Sequence, residues 1–351
     1  MSSQLPQGIT FAGAVLLASA AALGTVPSAR SGVASLSTVT LGSGAQAVLW
    51  PRADSPTLAL CVDYATRPAL AADPPLSVDA LEARGVRVDV ERLEDGERRC
   101  AELPSAEREL AVWLVRHWLG TVDRAPPRAA SHEARALAAA RLRAEAEGPV
   151  VTAAVRAIAV VGELDPDSLV LGLRRLTLPA APARRAVAPG VEGTHELRLA
   201  SAEPFTVIAW AAPPRGQPER AALELGAARL ARALPSRGAP LTLELSGPTS
   251  IALVWPQGPL DVGPGLAAAT TRRPAGVEER RLAQLSFRRE LSSHRGAARL
   301  LLDGIATSGN ARSALGHEEW LARATPEAIT AATRRLASNG RVVVRVESAP
   351  P

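Results

Sequence analysis

The stretch 157–182, AIAVVGELDPDSLVLGLRRLTLPAAP, combines the signals of a buried strand, a turn and a helix. Its start, Ala157–Val161, is apolar throughout and predicts a buried strand, after which Gly162 predicts a turn. Asp165 can accept hydrogen bonds from the first turn of the following helix, and Pro166 fits the first helical position. Spacings of four and three residues place the leucines of this helix on one face: Leu169, Leu173 and Leu176.

The segments on either side of this stretch share one plan, in which paired β-rich runs lead into helices. In the first segment, Val39–Leu41 and Ala45–Trp50 predict a hairpin, and Leu58–Ala65 predicts a third strand. In the second segment, His195–Ala200 and Phe205–Ala211 predict another pair of neighbouring strands. The repeated plan indicates an α+β fold of two similar α/β-roll domains related by internal duplication. Each domain is expected to hold a mixed, largely antiparallel sheet with helices packed on one face.

Further elements follow in both segments. Val86–Val90 and Arg98–Leu103 predict a second hairpin. Ser105 is expected to cap a helix whose apolar side carries Leu110, Trp113, Leu114 and His117. Later strands are expected at Leu241–Leu245, Ile251–Trp255 and Arg341–Val346. Other helices are expected at Val78–Arg84, Ser131–Glu147, Pro218–Ala233, Val277–Ser292, Gly296–Ala306 and Pro326–Ala337, the last capped by Thr325.

Composition divides the chain into four parts. Residues 1–30 hold the uncharged run Gly8–Gly24 without a basic start, and predict a signal peptide or an N-terminal anchor. The first domain is assigned to 31–178, the Pro/Ala-rich segment 179–193 to a linker, and 194–348 to the second domain. A signal peptide implies export to the bacterial periplasm or cell envelope, whereas the protein would be cytoplasmic if this segment is not a signal.

Every cationic side chain apart from histidine is arginine, because the 351 residues include no lysine. The net charge of +5 comes from arginines interleaved with glutamates along the helices, which is typical of a solvated surface. This pattern argues against a nucleic-acid partner, and a phosphate-binding loop would need a lysine. Contact with a membrane is expected only through residues 1–30, if they are not cleaved.

The two cysteines, Cys61 and Cys100, lie on two predicted strands of the first domain. In an exported protein they could form a disulfide bond. They could equally be two small buried apolar residues. Their spacing from the histidines does not fit a zinc motif.

Four stretches resemble the pitrilysin/insulinase-type zinc metallopeptidases, a family that includes the mitochondrial processing peptidase and the core proteins of the cytochrome bc complex. LGSGAQAVL at 41–49 is similar to the first hairpin of the family, and RCAELPSAERELAVWL at 99–114 to its strand, corner and helix. VVGELD at 160–165 and LARATPEAI at 321–329 resemble its "vvGdvd" turn and its late "vTpeev" helix start. The resemblance implies the two-domain fold of that family.

The zinc motif of the family is missing from this chain. Active members carry His-x-x-Glu-His on a helix soon after the third strand, where two histidines bind zinc and the glutamate activates water. Residues 66–84 contain no histidine. The remaining candidates are scattered along the chain: His117, the pair His132 and Glu133, and Glu145 or Glu147 near the position of the distal glutamate of the family. We therefore assign no catalytic, cofactor-binding or metal-ligating residue.

The resemblance also implies a substrate-holding Arg and Tyr in the second domain of non-catalytic halves. The only tyrosine here is Tyr64 in the first domain, and Leu241–Leu243 occupies the expected place. These departures predict an inactive homologue that acts as the non-catalytic partner subunit of an active zinc metallopeptidase, or that forms a homodimer. One alternative is an envelope scaffold or assembly protein without a protease partner. The other is a divergent zinc metallopeptidase.

Overall fold

The computed structural model describes residues 35–68, 76–77, 81–93, 96–119, 122–123, 138, 150–181, 194–201, 205–233, 242–244, 250–255, 277–338 and 340–348. The leader 1–30, most of the linker 179–193 and, apart from Ala138, the helix expected at Ser131–Glu147 lie outside these residues. The start of the helix expected at Val78–Arg84 does so too. Within the described ranges, no helix combines the length and apolar character required to span a bilayer.

The first half of the chain builds one sheet and a small separate strand pair. The strands of the sheet are β1 (Ser37–Thr40), β2 (Gln46–Pro51), β3 (Thr57–Pro68), β5 (Arg87–Leu93), β6 (Gly96–Pro104) and β8 (Val150–Gly162). Both expected hairpins, β1–β2 and β5–β6, are confirmed as antiparallel pairs. β8 contains the predicted strand Ala157–Val161. It lies between β2 and β3, parallel to β2 and antiparallel to β3. The separate parallel pair is β4 (Leu76–Ser77) with β7 (Val122–Asp123).

The second sheet comprises β9 (Thr194–Ser201), β10 (Phe205–Ala211), β11 (Thr242–Glu244), β12 (Ser250–Trp255) and β13 (Arg341–Ser348). The described strands are ordered β11-β12-β10-β13-β9. The expected pairing of β9 with β10 is wrong. The C-terminal strand β13 separates them, parallel to β9 and antiparallel to β10.

The two sheets repeat one arrangement of strands. The order β2-β8-β3-β6-β5 in the first sheet matches β9-β13-β10-β12-β11 in the second, and β1 extends the first sheet by one strand. In both orders the first pair is parallel and the following pairs are antiparallel. The α+β fold with two similar mixed sheets is therefore confirmed.

The described part of the chain contains seven α-helices: α1 (Arg108–His117), α2 (Pro166–Arg174), α3 (Pro218–Ala233), α4 (Val277–Ser292), α5 (His294–Ser308), α6 (His317–Arg323) and α7 (Pro326–Ser338). α1 and α2 share a core with one face of the first sheet. α3 and α7 do the same on the second sheet. The short helix α6 was not expected from the sequence.

Helix α5 belongs to the second half of the chain but covers the other face of the first sheet. Its apolar residues pack on the outward side chains of β2, β3 and β8: Ala297, Ala298, Leu301 and Leu302 against Val48, Trp50, Cys61, Ala159 and Val161. In return, Ala138 of the first half lies in the apolar cluster on the corresponding face of the second sheet. Each sheet is thus covered on one face by its own half and contacted on the other by the opposite half.

Two of the expected helix caps are confirmed. At the start of α2, the amide of Asp167 donates to the side chain of Asp165 at 3.3 Å. At the start of α7, the amide of Ala328 donates to the hydroxyl of Thr325 at 3.2 Å. The predicted boundaries of these helices rest on the same local hydrogen bonds, which is why the sequence pattern could identify them.

The expected cap and apolar side of α1 are wrong in part. Residues 105–107 form a separate 3-10 turn, and the hydroxyl of Ser105 donates to Glu163 at 3.2 Å instead of capping a helix. Leu110 and Leu114 are buried as expected. Trp113 and His117 are exposed, because the sheet covers a narrower stripe of α1 than the apolar pattern suggests.

Cys61 and Cys100 form a disulfide bond. They stand directly opposite each other on the antiparallel strands β3 and β6, so their side chains point to the same face of the sheet. The alternative of two unlinked apolar residues is therefore wrong. Both cysteines are buried in the cluster beneath α5.

Candidate functional site

The region that would carry the zinc helix follows β3. This strand ends at Pro68, and the next described element is the two-residue strand β4. Among the described residues, no group of three or more His, Cys, Asp and Glu side chains is arranged to hold a metal ion. His132, Glu133, Glu145 and Glu147 lie outside the described residues, so their positions remain predictions.

The described histidines lie in separate parts of the molecule. The ring of His117 stacks on the exposed ring of Trp113, with centroids 4.0 Å apart. His195 is on the edge strand β9. His294 and His317 are buried near the start of α5 and at the start of α6. Of the predicted candidates, only His117 lies among the described residues.

Tyr64 is a core residue of the first half. Its hydroxyl donates to the carbonyl of Val115 at 2.9 Å, and its ring is fully buried. Burial raises the pKa of the phenol above its usual range, although the charge of Arg99 opposes that shift. Because the hydroxyl holds α1 against the sheet, Tyr64 cannot also reach a bound peptide.

A buried ion-pair triad joins the two halves of the chain. The guanidinium of Arg98 on β6 contacts Asp63 on β3 at 2.7 and 3.2 Å, and Asp303 on α5 at 2.7 Å. All three side chains are at most 7% exposed. Burial raises the pKa of Asp303, while Arg98 acts in the opposite direction. The sequence gives no local signal of this triad, because its members are far apart along the chain.

A second buried cluster surrounds Glu224 on α3. Its carboxylate contacts Arg220 at 2.7 Å, His317 at 3.0 Å and Arg215 at 3.8 Å. Arg215 also forms an ion pair with Glu290 on α4 at 2.9 Å. Burial acts to raise the pKa of Glu224, but His317 and Arg220 outweigh it and hold the pKa well below the usual range. The spacing of Arg220 and Glu224, one helical turn apart, was the one local signal of this cluster.

The amide of Gly216 donates to Nδ1 of His317 at 3.3 Å. With Nδ1 accepting, Nε2 carries the proton and donates to Glu224. This buried imidazole therefore anchors α6 to α3 and to the turn before α3. A histidine fixed at both nitrogens is not available as a metal ligand.

A third contact lies where α5 begins. The ring of His294 is 2.7 Å from Asp54 through Nε2 and 3.3 Å from the hydroxyl of Thr57 through Nδ1. Arg52 donates to the carbonyls of Leu291 and Ser292 just before the helix. A carboxylate, an imidazole and a hydroxyl in a row can move a proton. Here they tie the 51–57 connection of the first half to the start of α5, so we assign them a structural role.

No protein-family model matches the chain, and no curated protein sequence matches it at a significant level. Solved structures do match. A peptidase M16 inactive domain from Pseudomonas fluorescens superimposes with a TM-score of 0.56 at 16% identity, covering 90% of this chain and 98% of that one. The chain has the M16 peptidase fold. The pitrilysin/insulinase-type resemblance found in the sequence is thereby confirmed at the level of the fold.

Two other solved structures show how this fold occurs elsewhere. The periplasmic protease PqqL from Escherichia coli matches with a TM-score of 0.51 at 13% identity, covering 90% of this chain and 45% of that one. The chain therefore spans about half the length of that M16-fold protein. A chain of complex III2 from Candida albicans matches with a TM-score of 0.55 at 11% identity, covering 88% and 95% of the two chains.

Proposed function

We propose that this protein is a catalytically inactive M16-fold subunit that binds an active zinc metallopeptidase of the same fold. The observation that carries the proposal is the sequence after β3, where residues 66–84 contain no histidine and hence no zinc motif. The five histidines of the whole chain are all more than four residues apart, so His-x-x-Glu-His does not occur anywhere. Without the paired histidines, a water molecule has no metal ion to activate it.

The buried polar residues support a structural rather than a chemical role. His294, His317, Asp303 and Glu224 are each held by ion pairs or hydrogen bonds between elements. The Pseudomonas fluorescens domain with the same fold is described as inactive. A preserved fold without its chemistry fits a protein that works through its surface.

We infer that the protein is exported. The disulfide between Cys61 and Cys100 supports this, since such bonds persist in oxidising compartments such as the periplasm. The predicted signal peptide at 1–30 agrees with it, as does the periplasmic location of PqqL. Free thiols in the protein isolated from its own cells would count against export.

A second candidate function is a scaffold without a protease partner. The complex III2 chain favours it, because there a chain of the same fold is part of a larger complex. Co-purification separates the two candidates. A captured partner that carries His-x-x-Glu-His supports the first, and a stable assembly without such a protein supports the second.

The test uses the full chain, tagged at its C-terminus and purified from the envelope fraction of its own cells. We expect a stoichiometric partner with the zinc motif, and we expect peptide cleavage by that partner to rise when this chain is added back. The isolated chain, reloaded with zinc and analysed by mass spectrometry for metal, should contain none and cleave nothing. Stoichiometric zinc with chelator-sensitive cleavage would overturn the proposal and favour a divergent metallopeptidase.

A further inference from the structure

The outer face of α1 carries an exposed aromatic residue that is already held in place. Trp113 is 40% exposed, and its ring stacks on His117 one helical turn later. Tryptophan is a frequent anchor of protein interfaces, and a side chain fixed before binding loses little entropy when it is covered. An exposed, pre-ordered tryptophan therefore marks this face as a contact surface.

Charges of opposite sign flank Trp113 on the same face. Glu109 lies one turn before it and Arg116 almost one turn after it, and both side chains are exposed. Within the described residues, neither Glu109 nor Arg116 takes part in an ion pair. Along the helix axis, this face therefore presents Glu109, then Trp113, then Arg116.

We propose that this face of α1 binds the same face of a second copy of the chain. If two α1 helices pack antiparallel about a two-fold axis near Trp113, each Glu109 faces Arg116 of the second copy. Such a face is complementary to itself, as a two-fold interface requires. The inference does not depend on the proposed function, because an inactive subunit and a scaffold could both use a homotypic contact.

Helix α2 extends the same face with the same pattern. Asp167, Leu171 and Arg174 repeat the spacing of Glu109, Trp113 and Arg116, and Leu171 is 53% exposed. α2 packs closely on α1, since the position of a Cβ on Gly172 would be 3.0 Å from the side chain of Val112. Helix α2 thus places a second exposed apolar residue, between an acidic and a basic residue, on a helix that packs against α1.

The size of this surface sets the expected strength of association. Two helices of about three turns each bury less area than a standard interface of roughly 800 Å² per partner. We therefore expect a reversible dimer in the micromolar range. The contribution of a central tryptophan is then decisive, because loss of such a residue typically weakens an interface by about tenfold or more.

Sedimentation velocity over a concentration series tests the proposal with the full chain. We expect Trp113→Ala to raise the dissociation constant about tenfold or more. Glu109→Arg and Arg116→Glu should each give monomers, and the double variant Glu109→Arg/Arg116→Glu should restore the dimer, because the exchanged charges meet again across the axis. Circular dichroism checks that each variant is folded, since all three positions are exposed.

The matched control is Leu285→Ala on α4, another exposed apolar residue at 48% exposure. It should leave the dissociation constant unchanged. A wild-type protein that stays monomeric throughout the series would overturn the proposal. So would a dimer that is equally weakened by Leu285→Ala, or one that the double charge exchange fails to restore.

Discussion

Arg98 neutralises two buried carboxylates that belong to different halves of the chain, Asp63 and Asp303. Replacing it with alanine removes the cation that contacts both buried carboxylates. We expect Arg98→Ala to lower the free energy of unfolding by about 3–5 kcal/mol, measured by urea denaturation at neutral pH. The loss should shrink as the pH is lowered, because burial raises the pKa of Asp303 and its protonation then removes a buried charge.

The control for Arg98 is an ion pair on the surface. Arg323 pairs with Glu319 one turn away on α6, and both side chains are more than half exposed. Arg323→Ala should change the free energy of unfolding by less than about 1 kcal/mol. Equal losses of unfolding free energy for Arg98→Ala and Arg323→Ala would contradict the conclusion that the buried triad stabilises the contact between the two halves.

Glu224 makes the stability of the second half depend on pH. Burial alone would raise the pKa of its carboxyl, but His317 and Arg220 hold it well below the value of about 4.5 usual for glutamate. The unfolded chain therefore takes up this proton first, and the stabilisation by Glu224 is present above pH 4.5 and lost as the pH falls below it. We expect Glu224→Gln to be less stable at pH 7 and to lose less stability than the wild type between pH 5 and pH 3.

Urea midpoints of both proteins across this pH range provide the measurement. The difference between the two curves isolates Glu224 from the other carboxylates, which titrate in both proteins. Parallel curves would show that the pKa of Glu224 is the same in the folded and unfolded states.

Residue roles that depend on sequence neighbours were predictable, and those that depend on distant partners were not. Asp165 and Thr325 cap helices through amides two or three residues away, so their pattern is visible in the sequence. Arg98 meets Asp303 across 205 positions. No sequence pattern near either residue predicts such an ion pair, because an arginine on a strand is equally compatible with an exposed position.

At the scale of the element, Gly304 allows α5 to pack closely against the turn that follows it. A Cβ on Gly304 would lie 2.6 Å from the carbonyl oxygen of Asn310 and 2.7 Å from that of Ala311. These are backbone atoms, so the turn after α5 would have to move. We expect Gly304→Ala to destabilise the protein by roughly 1–3 kcal/mol, which exceeds the gain of about 1 kcal/mol in helix propensity.

Gly172 in the middle of α2 provides the comparison. Its added Cβ would contact only the methyl groups of Val112, the nearest at 3.0 Å, and that side chain can adjust. Gly172→Ala should therefore be neutral or slightly stabilising when thermal unfolding of both glycine variants is compared with that of the wild type. Gly172→Ala could instead lose more stability than Gly304→Ala. That result would show that the close approach of Gly304 to the carbonyl oxygens of Asn310 and Ala311 is not the reason for glycine at position 304.

Elements with strong local periodicity matched the sequence prediction, as did the hairpins β1–β2 and β5–β6, whereas the predicted partner of β9 was wrong. β10, α3 and α4 have the predicted boundaries, because hydrophobic periodicity specifies an element by itself. The partner of β9 is β13, almost the whole second half away along the chain. Adjacent β-rich runs suggested a hairpin, and nothing local distinguishes a hairpin strand from one that pairs through a long crossover.

At the scale of the whole molecule, α5 makes the two halves depend on each other. Besides its apolar contacts, α5 reaches the first half through polar contacts of four of its residues: His294 with Asp54, Arg295 with Glu102, Arg299 with Asp89 and Glu91, and Asp303 with Arg98. Ala138 adds a contact in the opposite direction. Each of the two sheets is therefore contacted by residues from the opposite half of the chain.

This sharing predicts that neither half is stable alone. A fragment of residues 31–178 would expose the apolar face of β2, β3 and β8 that α5 covers, including Val48 and Trp50. A fragment of residues 194–348 would leave the polar anchors of α5 without partners. We expect each fragment to be aggregated or partly unfolded by circular dichroism, and the whole chain to unfold in one transition seen identically by circular dichroism and tryptophan fluorescence.

The control is the whole chain cleaved at a protease site introduced into the linker 179–193. Cutting the linker removes the covalent connection but leaves the shared layers intact, so the cleaved protein should stay assembled and unfold in a single transition. The opposite result would be separate transitions for the two halves, or a 31–178 fragment that unfolds cooperatively at the midpoint of the whole chain. Either would mean that α5 rests on the first sheet without stabilising it, and that the two halves are independent domains.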